Sequence, residues 1–221
     1  DRKDDREFVL NFGVLVPNPA FFFGKFKQNS HELRLAFGQD KPLHGQIGAY
    51  YFNEKSFIEL NIGNPLSGIV VPNAIGFAFP QGPTKAKSKA VFGQLTYDIT
   101  PDLHLTGGIR HTKDNKSRVG QTVVDFATVA TSICGALRCA LNDNIAFGEY
   151  KKTTWKVGID YDAPNLGLIY ASVSTGYKAG GFNDGCLTTS GGSGCSLTEA
   201  ELFFNPETLT SYEAGFKFRL A

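Results

Sequence analysis

The chain has 221 residues and a formal net charge of +1, so its overall balance lacks the basic footprint expected of a nucleic-acid-binding domain. Charged residues make up 19% and aromatics 13%, with 25 glycines and 19 phenylalanines, which is poor in charge and rich in aromatics and glycine for an ordinary soluble domain. No apolar run approaches the roughly 18 residues of a membrane helix; barrel strands stay open, because they alternate apolar with polar over about 9–11 residues.

The opening D-R-K-D-D-R has no apolar signal-peptide core, and the sequence has no methionine, so it reads as a processed product or a piece of something longer. Period-2 segments then follow in chain order. Glu7 to Phe12 allows one strand. Leu33, Leu35 and Phe37 oppose Glu32 and Arg34, G-Q-D-K-P turns the chain, and Gly45 to Asn53 returns. Val91 to Thr100 sets Val91, Leu95, Tyr97 and Ile99 against Gln94, Thr96 and Asp98. After a T-P-D turn, Leu103 to Thr112 sets Leu105 and Ile109 against His104, Thr106 and Arg110. Lys152 to Tyr161 carries Trp155, Val157 and Ile159 on one face, D-A-P-N turns, and Leu166 to Lys178 runs back. In the final strand, Thr210 to Leu220, Glu213, Lys217 and Arg219 oppose Tyr212, Phe216 and Phe218. No segment reads as a helix of 12 residues or more.

Tight turns at 38–42, 99–102 and 162–165 alternate with expected long loops at about 54–87, 114–148 and 179–206. Sorting of short and long connections to opposite ends marks an antiparallel up-and-down transmembrane β-barrel, with short periplasmic turns and long outer loops. A soluble sandwich joins its strands by Greek-key connections that do not sort this way. Charge placement agrees. Lys89 and Lys151 share the apolar face but sit at the loop ends of their strands, within reach of lipid headgroups.

Cys134 and Cys139 fall in one expected outer loop, Cys186 and Cys195 in another. Two local disulfides are the simplest of the three pairings, and an oxidising exterior would preserve them. Free thiols and a metal site stay open, although neither spacing matches a common zinc site and no histidine lies nearby. The run S-T-G-Y-K-A-G-G-F-N at 174–183 invites a phosphate-loop reading. No helix pattern follows to aim amides at an anion, and the glycine order does not fit the phosphate-loop motif, so that reading fails.

The same run, followed by a loop and then by F-N-P-E-T-L-T-S-Y-E-A-G-F-K-F-R-L, resembles the barrel of TonB-dependent outer-membrane receptors, the ferric-siderophore type in particular. The matching residues are Thr175 to Asn183 and Pro206, Glu207, Tyr212, Glu213, Gly215 and Lys217; Leu95 to Asn115 and Ser30 onward fit the family's hairpins in order. The resemblance implies about 8 strands of a larger barrel of about 22, over residues 1–221, without a recognisable plug domain or TonB box. It implies outer-membrane uptake of a chelated nutrient, a ferric siderophore before haem, vitamin B12 or carbohydrate. The implied partners are membrane lipid, the remaining strands and plug, TonB and the ligand, with no enzyme activity, cofactor or resident metal. Outer-loop aromatics Phe57, Phe77, Phe79, Phe147, Phe203 and Phe204 fall where ligand binds in that family, though packing of loop against loop is their plainer role.

Three other readings compete. A complete eight-stranded barrel acting as pore or adhesin fits the strand count. A soluble β-sandwich binding module fits the alternation. An enzyme has little to build on: there is no G-x-S-x-G motif, and His31, His44, His104 and His111 are not expected to converge.

Overall fold

Alternation of side chains continues well past the apolar segments, and the strands follow it. The computed structural model describes residues 2–10, 18–63, 75–124, 139–164, 166–183 and 197–218. The strands are β1 (Arg2–Leu10), β2 (Asn18–Phe37), β3 (Leu43–Gly63), β4 (Ile75–Thr100), β5 (Leu103–Val124), β6 (Cys139–Ala163), β7 (Gly167–Lys178) and β10 (Glu207–Phe218). All pair antiparallel in one eight-stranded sheet, each with its neighbour in sequence and β10 against β7. A two-stranded ribbon of β8 (Gly181–Phe182) and β9 (Phe203–Phe204) and the four-residue helix α1 (Glu199–Leu202) lie between β7 and β10 in sequence. The antiparallel barrel section expected from the alternation is what is found.

The outer connections are shorter than expected because the strands are longer. β4 has 26 residues and β6 has 25, where a membrane crossing takes about 9–11. At about 3.3 Å per residue, β4 extends roughly 85 Å, so more than half of it stands clear of a bilayer about 30 Å thick. Much of 54–87 and 114–148 is therefore hydrogen-bonded ladder. K-A-K-S-K-A at 85–90 keeps the period of two with lysine in the apolar place, so hydropathy conceals the strand. β1 likewise begins five residues earlier than the apolar run suggests, its start hidden by charged residues.

Register assembles the faces. One row runs Leu43, Tyr97, Leu105, Ile159, Ala171 and Ala214 across six strands. The row beside it, pointing the other way, runs His44, Thr96, Thr106, Gly158, Ser172 and Glu213. The first face exposes its apolar side chains, among them Ile47, Leu95, Ile109 and Val157. On the second, Thr106 is buried and its hydroxyl lies 3.1 Å from that of Thr96. So broad an apolar surface on the outside, with polar side chains turned to the inside, inverts a soluble sheet and suits a wall against lipid.

The tight turns fix this register. Gly38 adopts φ +70°, and Lys41 N–H donates to its carbonyl at 2.9 Å. Gly167 adopts φ +123°, and a Cβ there would lie 1.9 Å from the Lys217 carbonyl oxygen, so only glycine lets β7 start flush against β10. Among the described residues no pairing joins β1 to β10, and the sheet is open at both edges, which a closed eight-stranded barrel would not be.

Candidate functional site

The inner face carries polar and aromatic groups at three heights. Nearest the tight turns, His104 Nδ1 lies 2.6 Å from Asp98 Oδ1, and His44 Nδ1 lies 3.6 Å from the other oxygen of that carboxylate. His104 Nε2 also lies 3.6 Å from Asp162 Oδ2. His44 and His104 therefore do converge, contrary to expectation: they stand near turns of adjacent hairpins, and β3, β4 and β5 are consecutive in the sheet. Thr96 and Thr106 beside them are spent on each other. His31 and His111 lie on the outer face. Among the described residues no three His, Cys, Asp or Glu side chains are grouped to hold a metal ion.

At mid-height the Arg110 guanidinium sits 5.3 Å from the Tyr50 ring centroid and 5.6 Å from that of Phe92. Arg34 approaches Phe92 from the other side at 5.9 Å and pairs with Glu32. Such stacks cost little to hold and keep the guanidinium donors directed into the interior.

The third group lies at the outer end and explains the glycine-rich run. Arg118, 5% exposed on β5, donates from Nη1 to the Asn183 carbonyl at 2.7 Å and sits 5.8 Å from the Phe182 ring centroid. Phe182 meets Phe203 edge-on, with centroids 5.4 Å apart at 79°. Asn183 donates its backbone N–H to the Leu202 carbonyl at 2.8 Å and its side-chain amide to the Glu201 carbonyl at 2.7 Å. Glu201 in turn accepts from the Thr198 N–H and hydroxyl, a capping box that holds α1 and keeps the Glu201 carboxyl below its usual range. A Cβ on Gly180 would lie 2.4 Å from the Phe204 carbonyl oxygen, and one on Gly181 would lie 2.5 Å from the Phe204 ring. These glycines let two backbones close over Leu202, which is 1% exposed. They cradle no phosphate.

Beneath this cap, burial pushes the Tyr150 phenol up, and burial together with the nearby Asp114 carboxylate holds Tyr177 further above its ordinary range. The cap thus sits beside two neutral phenols, with the Arg118 guanidinium held by the Asn183 carbonyl and the Phe182 ring.

Of the aromatic residues singled out in the sequence, Phe203 and Phe204 belong to this cap and serve packing. Phe57 packs against Phe23, with centroids 6.2 Å apart, and Phe79 is half-buried on β4. Phe147 is exposed on the outer face, away from the interior. The side chain of Phe77 lies outside the described residues, as do Cys134, Cys186 and Cys195 entirely; Cys139 opens β6, its side chain likewise outside. Arg118 was not singled out in the sequence because it lies in a segment that read as loop, and Tyr150 because it falls between that loop and the strand expected from Lys152. The available signal was the continued period of two: Arg118 shares parity with Arg110.

A family model described as TonB dependent receptor-like, beta-barrel matches residues 3–221. No curated protein matches the chain. Among solved structures, that of the ferric yersiniabactin uptake receptor FyuA from Yersinia pestis is similar, with a TM-score of 0.72 at 18% identity. The match covers 98% of this chain and 29% of that one, so the chain spans less than a third of that receptor's length. At that identity the likeness is one of fold.

Proposed function

The chain belongs to the TonB-dependent receptor family through its β-barrel, and from that premise we propose that it forms the wall and outer hairpins of an outer-membrane uptake receptor for a chelated nutrient, a ferric siderophore first. Members of this family are transporters and outer-membrane proteins. The observation that carries the proposal is the joint arrangement of an apolar outer band and an outer cap organised by the buried Arg118. The fold shared with a receptor for a ferric chelate supports the same choice of ligand. The open sheet edges would leave backbone groups unpaired in lipid, so further strands complete the wall, and a plug within it links the ligand to TonB.

The test is uptake of radiolabelled ferric siderophores by cells with and without the gene, under iron limitation. Uptake that needs the gene, TonB and the proton gradient is the expected result. Loss of haem, cobalamin or carbohydrate uptake with ferric uptake intact would change the ligand, and uptake indifferent to TonB would remove the coupling. Local disulfides Cys134–Cys139 and Cys186–Cys195 belong to the same proposal. A mass unchanged by reductant would refute them.

A further inference from the structure

Register brings two rows of the inner face together at mid-height. Gln46, Gln94, Gly108, Lys156 and Ser174 form one row across β3 to β7, and Gly48, Phe92, Arg110 and Thr154 form the row outward of it. Gly108 leaves a gap in its row. Its φ lies outside the left-handed region, and a Cβ there would meet nothing nearer than the Gly93 carbonyl oxygen at 3.6 Å. Neither the backbone nor a close approach calls for glycine, so what it provides is open space. A cavity of about 340 Å³ lies over it, its polar lining supplied by Gln46, Gln94, Arg110, Thr154, Lys156 and Ser174.

Two cations flank this space. Lys156 stands directly opposite Gly108, and Arg110 lies diagonally from Lys156, a relation that sets residues about 7–8 Å apart. The guanidinium plane of Arg110 is fixed by the Tyr50 and Phe92 rings and by its Nε, which donates to the Thr112 hydroxyl at 3.2 Å. Neither Arg110 nor Lys156 has a carboxylate in ion-pair range among the described residues. A carboxylate between them would take two coplanar N–H bonds from the guanidinium fork and a further one from the ammonium. The amides of Gln46 and Gln94 and the hydroxyls of Thr154 and Ser174 offer donors around the same space.

We propose that this pocket is a ligand station on the inner wall, below the cap, that binds a carboxylate of the transported chelate between Arg110 and Lys156. Arg110 lies eight residues inward of Arg118 on the same face of β5, roughly 26 Å along the strand, so cargo that has passed the cap meets it on the way to the tight-turn end. The volume falls within the range of about 300–1,000 Å³ usual for ligand pockets, which leaves room for the ring or arm that carries the carboxylate. Ordinary solvation of two inner-face cations does not account for the gap held open between them. The proposal rests on the reading of the chain as part of an uptake receptor.

The test uses the full-length protein in neutral detergent and two probes read by fluorine NMR line broadening, 4-fluorobenzoate and the uncharged 4-fluorobenzamide. Wild type and the outer-face control K151Q should bind the acid alike, and the amide at least about 10-fold more weakly, the usual worth of a hydrogen bond to a charged group. R110Q/K156Q should lose the acid by a similar factor, and R110K, which keeps the charge without the fork, should fall between. G108L fills the gap with both cations in place and should lose the acid too; its Cβ meets only ordinary contacts. Heat-modifiable mobility shows which variants have assembled. Equal binding of acid and amide by the wild type, or of the acid by wild type and the assembled pocket variants, overturns the proposal. No binding by the wild type overturns it as well, and faster proteolysis of the plug in R110Q/K156Q would then assign the pocket to an acidic side chain of the plug. Uptake of radiolabelled ferric siderophores separates the two readings: uptake that needs the gene but not these side chains loses only this station, whereas uptake indifferent to the gene loses the receptor.

Discussion

Val157→Lys abolishes assembly of the full-length protein into a heat-modifiable barrel, while Phe147→Lys leaves assembly intact. Both positions are exposed apolar residues on the outer face of β6, at 49% and 68%. In a soluble sheet both substitutions would shift stability by no more than about 0.5 kcal/mol, and Val157→Lys would even improve solubility. In a membrane wall the depth decides. Val157 lies in the row of Leu95, Gly107 and Val173, midway between the tight turns and the row of Lys89 and Lys151. A lysine there costs about 2–4 kcal/mol, and its stem cannot carry the ammonium to either interface. Phe147 lies beyond Lys151, where the cost is about 0–1 kcal/mol. Comparing unheated and heated electrophoretic mobility of membrane fractions reads the difference. Equal mobility shifts for both variants would show that the face never meets lipid.

Gly180→Val uncouples the outer cap from the wall below it. The nearest obstacles to a Cβ at Gly180 are the Phe204 carbonyl oxygen at 2.4 Å and the Tyr150 ring at 2.6 Å, and the carbonyl cannot rotate aside. β8 must then leave β9, and the Asn183 carbonyl leaves Arg118. Losing a hydrogen bond to a charged group costs about 1.5–3 kcal/mol, and here the guanidinium is left buried. Cleavage between β8 and β9 under limited proteolysis should accelerate at least about 10-fold, in line with that cost. Ligand uptake should fall with it while heat modifiability stays normal. Gly107→Val is the control: a Cβ there meets nothing within 4 Å, and cleavage should match the wild type. Uptake and cleavage unchanged in Gly180→Val would show that the cap plays no part in binding.

The wall was legible in the sequence because lipid imposes a strict period. Leu95, Tyr97, Leu105, Val157 and Ile159 alternate with polar residues, as a face against hydrocarbon and a wet interior require, and the sorting of tight turns to one end set this apart from a soluble sheet. The tight turns were legible for a similar reason, since G-Q-D-K-P and D-A-P-N restrict the backbone locally. The upper strands were concealed because above the bilayer both faces meet water, and K-A-K-S-K-A alternates in charge rather than in hydropathy. The cap was concealed because it depends on contact at a distance: Arg118 and Asn183 lie 65 residues apart. The two glycines ahead of Asn183 gave the clue, although sequence alone could say only what they did not bind. His44 and His104 were misjudged because each was placed only by its nearness to a turn, although the up-and-down order already sets β3, β4 and β5 side by side.

The most direct test of the wall is a spin-label scan along β6, residues 145–161, in the full-length protein reconstituted into bilayers, comparing access to oxygen with access to a water-soluble nickel chelate. The expected result is oxygen access peaking at 155, 157 and 159, with nickel favouring 154, 156 and 158, and that alternation giving way to nickel at outer-face positions outward of Lys151. Nickel access along the whole strand on both faces would contradict the account and make this a sheet in water.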